Sequence, residues 1–264
     1  MSDNGSYVRS LWIPEGRLGR PGSCGMVGAG RGEGLVRADR GDAMVRAVIF
    51  DIDGTLIDSV DLHAGSWQEA LRHFGHDLPY DRVRAQIGKG GDLLLPALLP
   101  EDEVRRLGEE IEAFRKDLFK REYLPKVRPF PMVRELFERI EAAGVRIALA
   151  SSAKGDELQE YKEIAGIADL LDAETSSDDA ERSKPHPDIF RAALGRLGAI
   201  EPSEVIAVGD TPYDAESAGK AGLRTIGVLC GGWPEDELRA AGCFAIYGGP
   251  EDLLRHFDRS PLAG

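Results

Sequence analysis

Two carboxylates one residue apart, Asp51 and Asp53, stand directly after the apolar run Val45 to Phe50, and Gly54 behind them permits a sharp turn. Three further segments share that placement. Ser151 and Ser152 follow the apolar run Val145 to Ala150. Lys184 sits in the proline-framed loop Ser183-Lys184-Pro185-His186-Pro187-Asp188 ahead of a helix. Asp210 and Asp214 follow Glu204 to Val208 in the sequence Gly209-Asp210-Thr211-Pro212-Tyr213-Asp214. Carboxylate oxygens hold hard cations, and a carboxylate can also act as nucleophile or carry a proton. A lysine and hydroxyls nearby would neutralise and orient an anionic group.

These residues need a scaffold that brings strand ends together. After Met44 the chain alternates short apolar runs with amphipathic stretches, the signature of a parallel sheet with helices on both faces. The expected strands are Val45 to Phe50, Val145 to Ala150, Glu204 to Val208 and Arg224 to Leu229. Helices are expected over Pro131 to Ala143, Pro187 to Leu197 and Thr211 to Ala221, each bounded by Pro or Gly. Such sheets bind ligands beyond the carboxyl ends of their strands, which is where all four segments lie. The long stretch between the first two strands exceeds what a crossover needs and reads as a helical insert. Within it, Val60 to Phe74 and Asp102 to Tyr123 have helical apolar spacing, whereas Leu93 to Leu99 is a short run interrupted by Pro96. Hinges are expected at residues 58–61 and 125–131.

The 264 residues are 42% hydrophobic, enough for a sizeable core in one large domain or two unequal ones. A formal charge of −13 argues against a general nucleic-acid or anionic-membrane binder. Cys24, Cys230 and Cys243 lack metal-ligand spacing and read as reduced thiols. No apolar run approaches the roughly 20 residues of a membrane span, and the N-terminus lacks a signal-peptide pattern, so a cytoplasmic protein is expected. Residues 1–43 are rich in Gly and Arg without periodicity and read as a disordered extension. Gly28, Gly30, Gly32 and Gly34 belong to that tail rather than to a nucleotide loop, having no strand before them. Met44 is the expected native start.

In their order and placement, the four segments resemble the four motifs of the haloacid dehalogenase-like superfamily, and the resemblance covers nearly all of Val45 to Phe257. The helical insert resembles the cap of the phosphoglycolate phosphatase and β-phosphoglucomutase branch. The resemblance implies an α/β fold, a Rossmann-like doubly wound parallel sheet formed by residues 44–58 and 129–264, with residues 59–128 as an inserted α-helical cap. It also implies a phosphatase acting on a small-molecule phosphomonoester, of the phosphoglycolate or sugar phosphate type, with Mg²⁺ as cofactor. Asp51 would be the nucleophile and would bind the metal with Asp210 and the backbone carbonyl of Asp53, Asp214 completing the acidic cluster. Ser151 and Lys184 would orient the phosphoryl group, with Thr55 and Ser152 also at the substrate. Asp53 would carry the proton, and its acidic neighbours could raise its pKa. A dianionic ester about 4 Å from a carboxylate costs about 4 kcal/mol per charge pair near a protein surface, so an oxygen-bound dication is needed for approach.

Each residue also has a plainer reading. Ser151 or Ser152 could cap a helix starting near Gly155, Lys184 could be a surface lysine, Asp214 a solvated helix residue, and Asp51 and Asp53 turn residues. In the insert, His63 and Trp67 lie one helical turn apart and share a face, as packing or as part of the active-site mouth. The spacing from Asp51 to His63 resembles that of β-phosphoglucomutases, which keeps a sugar phosphomutase as an alternative, although Gly209 before Asp210 is closer to the phosphatase pattern. Gly88-Lys89-Gly90-Gly91 is either a plain connector or, by resemblance, a specificity loop in which Lys89 contacts substrate. Asp53 speaks against a dehalogenase, and a phosphonatase lacks the rest of its pattern here. A non-catalytic binding module on the same fold would have lost nucleophile or metal ligands, and none is missing.

Overall fold

Ala47-Val48-Ile49-Phe50 is buried at every position, as a strand covered on both faces must be. The computed structural model describes residues 44–263, so the tail reading, its glycines and Cys24 lie outside the described residues. In chain order the elements are β1 (Ala47–Phe50), β2 (Ile57–Asp58), α1 (Val60–His73), α2 (Tyr80–Arg84), α3 (Gly91–Leu98), α4 (Glu101–Leu118), β3 (Arg128–Pro129), α5 (Val133–Ala142), β4 (Arg146–Ala150), α6 (Gly155–Ala165), β5 (Ala173–Thr175), α7 (Asp188–Leu197), β6 (Val205–Gly209), α8 (Pro212–Lys220), β7 (Arg224–Val228), α9 (Glu235–Ala240), β8 (Cys243–Tyr247) and α10 (Pro250–Arg255).

Six strands form one parallel sheet in the order β5-β4-β1-β6-β7-β8. The order reverses at β1, so its carboxyl end opens at a topological switch point. Side chains of β1 alternate between faces. Val48 and Phe50 join the apolar cluster of α5, α6 and α10, which includes Phe137, Leu158 and Leu253. Ala47 and Ile49 join the opposite cluster, with Phe190 and Ala193 of α7 and Ala218 of α8. Helices therefore cover both faces, and the fold is the doubly wound α/β class. Register sets Phe50 opposite Leu149 and Val208, so the ends of β1, β4 and β6 are level, with Asp51, Ser151 and Asp210 close behind them.

Between β2 and β3 the chain folds α1 to α4 around an apolar cluster that includes Leu71, Val83, Leu95 and Ile111. Chain exit and re-entry are themselves paired, Ile57 with Pro129 and Asp58 with Arg128, antiparallel. The sequence pattern missed these two-residue strands, as well as β5 and β8. Leu93 to Leu99 is mostly helical rather than a broken run. Pro96 lies inside α3, where the bond it removes belongs to a carbonyl in the first turn. The expected helix ending at Tyr123 stops being α-helical at Leu118 and continues as a π-helical turn, Phe119–Tyr123. Among the described residues, no helix is long and apolar enough to cross a membrane.

Candidate active site

At the end of β1 the backbone turns sharply: Asp51 N–H donates to Val208 O (2.9 Å), and Gly54 N–H to Ile57 O (2.9 Å). Gly54 has φ +82°, and a Cβ there would lie 2.4 Å from Asp210 Oδ2, so glycine is required by both conformation and space. Thr55, fully buried, places its hydroxyl 3.2 Å from Asp51 Oδ2 and 3.0 Å from Asp210 Oδ1. Lys184 is 1% exposed. Its ammonium pairs with Asp51 Oδ1, with Asp214 Oδ1 at 2.7 Å, and with the carbonyl of Ala150 at 3.0 Å. Two hydrogen bonds and an ion pair thus compensate the buried ammonium, which excludes the surface-lysine reading.

Asp214 works at two places. Its Oδ2 accepts from Thr211 N–H (3.1 Å) and Thr211 Oγ1–H (2.6 Å), closing a capping box at the start of α8, and its Oδ1 faces Lys184. It is 1% exposed, not a solvated helix residue. Asp51, Asp210 and Asp214 offer oxygens that lie within 4.8 Å of one another. Asp210 Oδ2 is buried with no hydrogen-bond partner. Such an oxygen costs free energy unless something positive meets it. The donor set is all oxygen and all carboxylate, which fits a hard divalent cation rather than a soft one.

The electrostatics agree with that fit. Burial pushes the Asp51 carboxyl up to about 7, with Lys184 pulling it down and the charges of Asp214 and Asp53 pushing it further up. Asp210 is raised well above the usual carboxylate range by burial, then by Asp214 and Asp51. Lys184 is held above the usual lysine value: burial alone would lower it, but Asp214 and Asp51 outweigh burial. Asp53 moves the other way. Burial would raise it, yet the His63 pair, the Ser59 hydroxyl and the Arg115 charge hold it below its ordinary value. The expected upward push from acidic neighbours is therefore corrected, because Asp53 turns away from the cluster toward the insert.

There, Asp53 Oδ1 accepts from Ser59 Oγ (2.6 Å) and pairs with His63 Nε2 (2.8 Å). Arg115 donates to His63 Nδ1, and a guanidinium cannot accept, so the imidazole proton is assigned to Nε2. Phe119 stacks on the same ring (4.2 Å, 5°). The Tyr161 hydroxyl lies 3.1 Å from Nε2 and donates to Glu157 Oε1 (2.6 Å). Sequence reasoning missed Ser59, Arg115, Phe119, Glu157 and Tyr161. Arg115 had a signal: it falls on the apolar stripe of α4, four residues after Ile111 and three before Leu118.

A cavity of about 100 Å³ is lined by Asp51, Asp53, His63, Trp67, Lys89, Arg115 and Ser152, among others, so the structure brings the His63–Trp67 face and the Lys89 turn to the carboxylates. Lys89 donates to Gln86 Oε1 (2.6 Å) and stands over the Tyr213 ring. Ser151 is fully buried behind the cavity, its Oγ accepting from Ala153 N–H (3.1 Å). Neither serine caps α6, whose N-cap is Lys154. A larger cleft of about 510 Å³ continues outward, sharing Trp67, Arg115, Ser152 and Glu157 and adding Glu112, Lys154 and Ser177.

A family model described as haloacid dehalogenase-like hydrolase matches residues 48–228, which include all of these carboxylates and Lys184. The chain belongs to this family. Among haloacid dehalogenase-like relatives, "Probable phosphatase IndB" of Dickeya dadantii is 32% identical over 205 residues, covering 74% of this chain and 85% of its own. A phosphoglycolate phosphatase of Aquifex aeolicus is 30% identical over 212 residues, covering 80% of this chain and 96% of its own. The crystal structure of a hydrolase from Pseudomonas syringae superposes with a TM-score of 0.71 at 29% identity, covering 81% of this chain and 98% of that one. The enzyme class expected from the sequence, a phosphatase-type hydrolase, is the class these names carry.

Proposed function

We propose that the chain is a Mg²⁺-dependent phosphatase that hydrolyses a small phosphomonoester, phosphoglycolate or a sugar phosphate, through an aspartyl-phosphate on Asp51. The observation that carries this reading is the buried cluster of Asp51, Asp210 and Asp214, with one Asp210 oxygen unpartnered and Lys184 held beside the nucleophile. Residues 59–128 would be the cap over a core of 44–58 and 129–264. Asp51, Asp210 and the Asp53 carbonyl would hold Mg²⁺, with Asp214 adjacent; when bound, the ion supplies the positive charge that lets a dianion approach a carboxylate.

Asp51 attacks phosphorus in line with the leaving alcohol, forming an acyl-phosphate bond as the ester P–O bond breaks. Lys184 and Ser151 orient the phosphoryl oxygens, and Lys184 adds charge where the transition state needs it. Asp53 gives a proton to the leaving oxygen, then takes one from the water that attacks phosphorus and releases Asp51 with inorganic phosphate. Both the Ser59 and His63 hydrogen bonds go to Oδ1, which leaves Oδ2 for that exchange. A depressed pKa suits the second, base step; the first, acid step requires Asp53 to enter protonated. The contact of His63 with Asp53 favours a second reading, a sugar phosphomutase in which Asp53 serves two sugar oxygens in turn.

Phosphate release from a panel of phosphorylated metabolites, with Mg²⁺ and with EDTA, tests both readings. Metal-dependent release selective for one ester is expected. Isomerisation of β-glucose 1-phosphate without release would replace the phosphatase by the mutase, and silence throughout would overturn both.

A further inference from the structure

Beside the carboxylate pocket, one short segment of the insert rests on the loops that carry the acids. Arg84, at the end of α2, donates Nε–H to Asp61 Oδ1 (2.6 Å) and Nη2–H to the carbonyl of Gly231 (3.1 Å). A Cβ on Gly232, φ +88°, would lie 2.6 Å from Arg84 Nη2, and a Cβ on Gly231 would lie 1.7 Å from Asp210 Oδ2. The glycine pair is thus sandwiched between a guanidinium of the insert and a carboxylate of the cluster. Ala85 O accepts from the Tyr213 hydroxyl (3.0 Å), and Tyr213 sits between Asp210 and Asp214 in sequence. Lys89 stands 4.8 Å over the Tyr213 ring. Gly88, φ +103°, packs so closely on Thr211 that a Cβ would be 2.9 Å from its Cγ2. Apart from the Arg84–Asp61 pair, each of these contacts lands on residues 210–214 or 231–232.

We propose that Arg84 and Tyr213 are positioning residues that couple docking of the helical insert to filling of the Asp51–Asp210–Asp214 cluster by a divalent cation, each event strengthening the other. The proposal rests on the metal-dependent reading above. Without a cation, three carboxylates share one ammonium, and their repulsion favours spreading of the loops that carry them. A cation would hold those loops in one arrangement, and in the arrangement of this structure the Gly231 carbonyl and the Tyr213 hydroxyl meet Arg84 and Ala85. Linkage makes the effect reciprocal: a docked insert must tighten cation binding by the factor by which the cation favours docking. Asp61 extends the link to the hinge, because the guanidinium that reaches Gly231 also holds this first-turn carboxylate of α1, just past β2.

Hydrogen exchange at residues 58–61 and 125–131, with and without Mg²⁺, together with the calorimetric Kd for Mg²⁺, tests the coupling. In the wild type Mg²⁺ should slow exchange at both hinges. Arg84→Gln, and Tyr213→Phe, which removes a single hydroxyl, should weaken Mg²⁺ binding by about fivefold or more, the lower end of measured couplings between sites. Both should also lose the Mg²⁺-induced slowing while keeping wild-type circular dichroism. Wild-type Kd in both variants, or hinge exchange that Mg²⁺ leaves unchanged in the wild type, overturns the coupling alone. A wild type that binds no Mg²⁺ overturns the metal-dependent reading, and the coupling with it.

Discussion

At the scale of single residues, Asp51 and Asp53 are two positions apart yet face different neighbours. Asp51 meets Lys184 and the acids, and in the proposed mechanism it is the nucleophile; Asp53 meets Ser59 and His63, and there it is the proton carrier. Exchanging either for its amide should separate these roles. Asp51→Asn should abolish turnover, because no oxygen nucleophile remains. Asp53→Asn should slow hydrolysis of the acyl-phosphate, so that phosphoenzyme accumulates and is visible by intact mass; wild-type steady-state rates in either variant would refute the assignment. The carboxylates and Lys184 were legible in the sequence because a buried strand stops where each chemical residue begins, or because prolines frame it. Tyr161 was not. It occupies an apolar position of α6, between Leu158 and Ala165, where a tyrosine reads as core, and its hydroxyl partner Glu157 reads as surface.

Among the elements, the π-helical turn Phe119–Tyr123 shows what periodicity cannot resolve. Apolar spacing looks much the same whether a helix stays α-helical or widens for one turn, so an unbroken helix to Tyr123 was the natural expectation. The turn marks a change of core. Ile111 and Phe114 pack in the cluster of the insert, whereas Phe119, Leu124 and Val127 pack in the main cluster beneath the sheet. Phe119, 2% exposed, therefore ties the end of α4 to the core while its ring supports His63. Phe119→Ala should cost about 3–5 kcal/mol in urea unfolding, the range for a buried Phe truncated to Ala. A loss below about 1 kcal/mol would mean that the turn only connects the two clusters. The four main strands of the sheet were legible from continuous apolar runs. The two-residue strands β2 and β3 were not, since a pairing so short leaves no period in the sequence.

For the whole molecule, the burial of three carboxylates around one lysine makes stability depend on pH and, in the metal-dependent reading, on the cation as well. Burial pushes Asp51 up to about 7 and Asp210 well above the ordinary carboxylate range. Across the window from about pH 4 to about pH 7, the metal-free native state then holds protons that the unfolded chain has released, so νU − νN is negative and stability falls as pH rises. In the metal-dependent reading a divalent cation would take the place of those protons, with its benefit largest where the carboxylates are ionised. Thermal unfolding in EDTA should therefore show Tm decreasing between about pH 5 and about pH 8, and saturating Mg²⁺ should raise Tm little at the lower pH and substantially at the higher. Asp210→Asn should remove much of the Mg²⁺-dependent rise while flattening the pH dependence in EDTA. An equal Mg²⁺ effect at both pH values would place the binding elsewhere on the surface, away from buried acids whose charge must be uncovered before a cation can use it.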